Sequence, residues 1–353
     1  MKNNFKSINQ KNLYQNLQFL KEKLPKNCKF CAVVKCDAYG HNAKFICKII
    51  ENYVDCFAFS NNKEAVEIKQ ILPHKRCLVI GVFSLEDLQN AINLGVEISV
   101  ENAEQLQKID KYAQQLNKKA FVQVKIDTGM RRLGVDDLVE LKQILKVANE
   151  LQNLEINGIF SHFGSGDRIE CTRTQLQFQK FLSFINQCDK KLEFHICNSV
   201  NTFNHSIYCL DMVRCGIGLY GYGIEGVKPV ESVFAKIVAI KKVSKGEFLG
   251  YGNRHKAKRD MTIGIVNIGY GQGLPKCYSR GGYFLVNGIR AKIVAEICMD
   301  MTFIDISKIQ SVKEGDLATI LGTSKELNAD TIAKICGTIP YEILTNFKNI
   351  PLL

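Results

Sequence analysis

The chain has 353 residues, 46% of them hydrophobic, and a formal charge of +12. At roughly 100 to 200 residues per domain, this length allows two domains with a sizeable core, and the lack of Pro- or Ser-rich tracts excludes a largely disordered chain. The lysines are scattered over amphipathic segments rather than gathered in one run, so the charge describes a solvated basic surface and no nucleic-acid groove is expected.

Short apolar runs alternate with segments whose apolar residues recur at helical spacing. The runs fall at 31–34, 56–59, 77–82, 96–100, 120–126, 154–160, 194–197 and 212–215, and the helical segments at 43–54, 63–72, 85–94, 103–116, 138–151 and 174–187. Strand after strand followed by a helix or helical turn, repeated within roughly 200 to 250 residues, predicts a (β/α)8 barrel. A doubly wound open sheet is the competing fold, but it rarely needs so many repeats, and no Gly-rich dinucleotide turn follows the first strand. Near residue 227 the rhythm becomes strand-rich: 233–243, 261–268, 283–286, 291–297, 301–306 and 318–321, with only 329–336 helical. The expected fold is therefore α/β, a barrel over 1–226 followed by a mainly β domain over 227–353.

No stretch approaches about 18 apolar residues, and the polar N-terminus lacks a signal-peptide pattern, so a cytoplasmic protein with no membrane partner is expected. Among the 14 cysteines, Cys28 and Cys31 form a C-x-x-C pair with no second pair at metal spacing. Most cysteines fall inside apolar segments and read as small hydrophobes, so no metal site is expected.

In such a barrel the active site lies at the C-terminal ends of the strands. The first strand ends in Lys35, followed within one loop by Tyr39 and the turn Gly40-His41-Asn42. A lysine at the end of an apolar run must reach water, find a partner, lose its charge or be consumed covalently as an imine. Other strands end in Lys125 and the stretch Asp127-Thr128-Gly129-Met130-Arg131-Arg132, in Ser161-His162, in Asn198-Ser199 and in Arg214-Cys215-Gly216-Ile217. The last two loops are where a barrel places a phosphate, and Ser199 with the backbone of Gly216 and Ile217 supplies suitable donors.

The segment Val34-Lys35-Cys36-Asp37-Ala38-Tyr39-Gly40-His41-Asn42 resembles the lysine motif of alanine racemases that use pyridoxal 5'-phosphate. The resemblance runs from about residue 11 to 344, with motifs in both domains in the family's order. It implies that Lys35 binds the cofactor covalently, and that Tyr39, Ser199, Gly216, Ile217 and Tyr341 in Ile339-Pro340-Tyr341-Glu342 surround its phosphate. Arg214 then faces the ring nitrogen with His162 in support. An arginine there can only donate, which restrains carbanion delocalisation and favours reprotonation at Cα over transamination.

Racemisation needs a proton group on each face of Cα. Lys35 is one, and Tyr270 in Ile268-Gly269-Tyr270-Gly271-Gln272-Gly273 resembles the other, acting across a homodimer interface. Phenols lose protons near pH 10 unless nearby positive charge assists. Arg132 resembles the arginine that contacts the substrate carboxylate, and Met299 in Cys298-Met299-Asp300 offers a backbone N–H to it. Lys125 resembles a lysine that can be carbamylated to orient the arginine, with pairing to Asp127 as the plain alternative. Asn198, Tyr251 and Asp300 complete the supporting positions.

Departures from the family pattern include Asn42, Arg131 and Cys215, where glycine, glycine and proline are usual, Gly271-Gln272 in place of Ala-Asp, and Met301 in place of a polar residue. The function so implied is interconversion of L- and D-alanine, supplying D-alanine for peptidoglycan. The rivals are a broad-specificity or serine racemase on the same scaffold, a barrel decarboxylase, disfavoured by Arg214, and a non-enzymatic cofactor-homeostasis protein, which is a single barrel.

Overall fold

The computed structural model describes residues 3–165, 172–189 and 191–353. Among the described residues nine strands precede residue 216: β1 (Asn4–Ile8), β2 (Lys29–Val33), β3 (Cys56–Phe59), β4 (Arg76–Val79), β5 (Glu97–Val100), β6 (Ala120–Lys125), β7 (Leu154–Phe160), β8 (Glu193–His195) and β9 (Met212–Cys215). Strands β2 to β9 form one parallel sheet of eight, in the order β8-β7-β6-β5-β4-β3-β2-β9. The edges close on each other, because the Arg214 amide donates to Cys197 O at 3.0 Å and the Asp211 amide to Phe194 O at 3.1 Å. The closed sheet is the (β/α)8 barrel.

Parallel strands covered on both faces are apolar throughout rather than alternating, and all four residues of β3 are accordingly buried. Helices pack outside, and several open on an asparagine cap: Asn9, Asn61 and Asn102 each accept the amide three residues on, at 2.9 to 3.0 Å. Such a cap stabilises a helix by about 1 kcal/mol. The helix expected at 85–94 begins only at Leu88, since Asp87 before it takes a φ of 54° that a helix cannot continue.

The second sheet is antiparallel and is built on β10 (Glu231–Val243), β11 (Phe248–Leu249) and β12 (His255–Lys256) pairing apart from it, β13 (Met261–Val266), β14 (Tyr283–Val286), β15 (Ile289–Lys292), β16 (Thr302–Asp305) and β17 (Leu317–Leu321). Its order is β15-β14-β17-β10-β13-β16, so this part of the chain is the mainly β domain. The first strand of the chain also joins it, with Lys6 opposite Val233 and Ile8 opposite Glu231. Sequence patterning marks no strand there, because NFKSI is short and carries its lysine mid-strand. The strand expected at 291–297 is β15, shifted to 289–292.

One further helix, Pro340–Asn346, follows the expected one at Ala329–Cys336, correcting the reading that 329–336 alone is helical. Proline is well suited to a first helical position, where its missing N–H costs nothing. This helix brings Tyr341 to the barrel mouth, with its ring 5.9 Å from that of Tyr39.

Candidate active site

The turn after β2 has an unusual backbone. Cys36, Asp37, Ala38 and Tyr39 all have φ of 54° or 55°, a left-handed conformation that costs an L-residue roughly 1 to 2 kcal/mol. One hydrogen bond from another helix and several local ones hold it. Glu64 Oε1 accepts the Cys36 amide at 2.7 Å, Asp37 Oδ1 accepts the Ala43 amide at 2.7 Å, and His41 Nδ1 donates to the carbonyls of Ala38 and Tyr39 at 3.0 and 3.2 Å. Asn42, at φ 70°, caps the following helix by accepting the Phe45 amide. Lys35 and Tyr39 thereby stand at the two ends of a fixed turn.

Both line a cavity of about 870 Å³ at the C-terminal ends of the barrel strands, a volume suited to a small ligand. Lys125, Arg132, His162, Asn198, Ser199, Arg214, Gly216, Ile217 and Tyr341 line it as well. Burial lowers the Lys35 amine below its usual range, and the charge of Arg132 adds to the effect.

At one end of the cavity Ser199 Oγ accepts the amides of Gly216 and Gly218 at 2.8 and 3.2 Å. With both acceptor positions so used, the hydroxyl proton remains for a further acceptor. A Cβ on Gly216 would lie 2.5 Å from the Tyr39 hydroxyl. The missing side chain is what lets that hydroxyl lie over the loop.

Arg214 crosses the cavity floor. Its guanidinium donates to Ser161 O at 2.6 Å and Ile196 O at 3.3 Å, meets His195 Nδ1 at 2.5 Å and His162 Nδ1 at 3.3 Å, and lies 5.2 Å from the Phe160 ring centroid. None of these partners is a carboxylate. Burial brings Arg214 down to about 10, so it remains charged at neutral pH. His162 and His195 are both held well below the usual imidazole range, first by burial and then by the Arg214 charge, and are neutral.

Behind His195 a polar chain runs through the barrel: Gln123 at 2.6 Å, then Glu97, Arg76, Glu193 and Lys29. Strands β4 and β8 are not neighbours, so the Arg76–Glu193 pair can meet only through the interior. Fully paired charges are the form in which a barrel core tolerates them.

Lys125 does not pair with Asp127, which instead accepts the amides of Gly129, Met130 and Arg131. Its ammonium donates to Ile80 O at 3.2 Å, and burial together with Arg132, Arg214 and Lys35 brings it down to about 8. Arg131 takes φ 58° and pairs with Asp136, pointing its charge away to a partner of its own. Among the described residues Arg132 forms no ion pair, which leaves it available to an anion.

Tyr270, Met299, Asp300 and Tyr251 do not line this cavity. The first three lie together in the β domain: Tyr270 N donates to Cys298 O at 3.1 Å, Gly271 N to Met299 O at 2.8 Å, and Gln272 Nε2 to Asp300 Oδ1 at 2.7 Å. Gln272 also accepts the Gly269 amide, so the amide that stands in place of a carboxylate still braces the loop. Tyr270 and Met299 are 44% and 56% exposed, enough for another surface to cover.

Residues 8–223 match the family model described as alanine racemase, N-terminal domain, and residues 230–351 match that described as alanine racemase, C-terminal domain. The chain belongs to the alanine racemase family. It is 34% identical over 347 residues to an alanine racemase of Thermodesulfovibrio yellowstonii, covering 96% of this chain and 94% of the relative. The alanine racemase of Clostridium difficile 630 superposes with a TM-score of 0.93 at 31% identity, covering 98% of this chain and 93% of that one. A Bartonella henselae alanine racemase with covalently bound pyridoxal phosphate gives 0.89 at 25% identity, covering 100% and 99%. Alanine racemases are isomerases, and the matched C-terminal domain sets aside the single-barrel rival. No helix among the described residues is long and apolar enough to cross a membrane.

Three residues around this cavity escape sequence reading. His195 and Gln123 sit in strands that read as apolar, and a polar residue recurring inside alternate strands, here β6 and β8, is the signal that would find them. Glu64 lies on a helix face that reads as solvated, and nothing local marks it.

Proposed function

We propose that the chain is a pyridoxal-phosphate-dependent racemase that interconverts L- and D-alanine in the cytoplasm, working as a homodimer. The placement of Arg214 carries the reading: a buried guanidinium, braced by neutral groups and aimed into a cavity that also holds Lys35. The residues present fit the cofactor. The Gly216 cradle under Tyr39 and the spare proton of Ser199 suit a phosphate, which Ile217 and Tyr341 would help to enclose. Lys35 would hold the aldehyde carbon, Arg214 the ring nitrogen, and His162 would lie beside the ring.

Bound pyridoxal phosphate supplies an electron sink that acidifies the substrate's α-hydrogen. Arg214 donates rather than protonates, which keeps the sink moderate and returns the proton to Cα. Arg132 binds and orients the substrate carboxylate, supported by Lys125. With its amine below the usual range, Lys35 has a larger neutral fraction at neutral pH and so can accept the Cα proton on one face. Tyr270 of the partner subunit delivers or removes the proton on the other, with the Met299 amide of the partner subunit completing the carboxylate site. Tyr251 and Asp300 support that surface, and Asn198 fixes the Ser199 loop by accepting the amides of Val200 and Asn201.

Borohydride reduction of the loaded protein followed by peptide mapping tests the cofactor assignment. The pyridoxyl group should be found on Lys35 and lost in Lys35→Ala; attachment to another lysine would overturn it.

A further inference from the structure

Lys6 is a lysine buried to 1% exposure in the strand β1, outside the lining of the cavity described above. Its ammonium donates to the carbonyls of Gly40, Lys348 and Phe347, the last two at 3.2 and 3.4 Å. It lies 3.7 Å from the fully buried Glu231 carboxyl, whose oxygens have no hydrogen-bond partner among the described residues. Burying an ammonium beside a carboxyl carries a desolvation cost that an apolar pair at the same place would not. The arrangement therefore calls for something the charge supplies and packing alone does not.

What it supplies is a directional link between two segments. Gly40 follows Tyr39 at the end of the left-handed turn. Phe347 and Lys348 follow the helix that carries Tyr341. The segments touch closely, since a Cβ on Gly40 would come 2.3 Å from Leu344 O. Backbone carbonyls facing one another there repel, and a shared ammonium turns that repulsion into a three-way clamp. We propose that Lys6 is a positioning residue that sets the spacing of Tyr39 and Tyr341, and through them the grip on the cofactor phosphate, with the Glu231 carboxyl packed beside the buried ammonium. The inference rests on the reading of the cavity as a pyridoxal phosphate site.

The test compares the full-length protein with Lys6→Met and with Lys6→Met/Glu231→Met, each stripped of cofactor and titrated with pyridoxal phosphate and, separately, with pyridoxal. The single variant leaves a buried carboxyl without its partner and should melt lower. The double variant replaces the pair by apolar side chains of similar volume and should melt close to the unaltered protein. Its affinity for pyridoxal phosphate should nevertheless be about tenfold weaker while that for pyridoxal is unchanged, equivalent to about 1.4 kcal/mol. Unchanged affinity for pyridoxal phosphate in the double variant would overturn the inference. So would an equal loss for both probes, which would mean that the pair shapes the pocket in general, or a double variant that does not fold, which would make the pair an element of the fold. Failure of the unaltered protein to bind either probe would instead overturn the cofactor reading itself, and the inference with it.

Discussion

Nδ1 of His195 lies 2.5 Å from the Arg214 guanidinium, so the ring accepts there and carries its proton on Nε2, toward Gln123. One buried imidazole thus sets the direction of the cation that would meet the cofactor's ring nitrogen. Replacing it by leucine strips an acceptor from Arg214 and a donor from Gln123. His195→Leu should lose about 1 to 3 kcal/mol in chemical denaturation and also lower kcat. A stability loss with kcat unchanged would mean that the Ser161 and Ile196 carbonyls orient Arg214 unaided.

Tyr270→Phe removes one hydroxyl from an exposed ring, so the melting temperature should not move. Turnover should fall by about 10² to 10⁴, the usual worth of a positioned acid or base. Because Lys35 is untouched, solvent deuterium should still enter the α-position of one enantiomer without inversion. Nuclear magnetic resonance of each enantiomer in D2O separates this outcome from a general loss of binding.

Gly216→Ala places a methyl group against the Tyr39 hydroxyl and ring. The tyrosine tip can swing aside, so the fold should survive. Affinity for pyridoxal phosphate should drop about tenfold, read by titration of the stripped protein.

The Glu231 carboxyl is pushed up to about 8 by burial, with Lys6 pulling the other way. In the unfolded chain a glutamate titrates near pH 4.3. The folded protein therefore keeps a proton that the unfolded chain has lost, and the contribution to stability, fully present below about pH 4, declines as pH rises toward about 8. Glu231→Gln should flatten the fall in unfolding free energy over that window. An unchanged slope would show that other groups set it.

Contiguous chemistry was legible in the sequence and distributed chemistry was not. Lys35 and Tyr39, and Arg214 with Gly216 and Ile217, lie within single loops at strand ends, and the structure brings them into one cavity. The strand-by-strand rhythm of buried parallel runs likewise announced the barrel. The left-handed backbone from Cys36 to Tyr39 had no local signal, since cysteine, alanine and tyrosine do not favour it; Glu64 braces it from another helix and the 340–346 helix packs against Gly40 at its end. Lys6 was invisible for the same reason, because its partners Gly40, Phe347 and Glu231 are remote in sequence. Tyr270 was legible only as part of a motif, and in one chain it lies on a surface away from the cavity.

Inversion at Cα of alanine is read by chiral chromatography of L-alanine incubated with the protein and pyridoxal phosphate, with L-serine in parallel. D-Alanine should accumulate to equal amounts of the two enantiomers, well ahead of D-serine, and Lys35→Ala should abolish it. A protein that holds the cofactor on Lys35 yet forms no D-alanine would contradict the proposed racemisation.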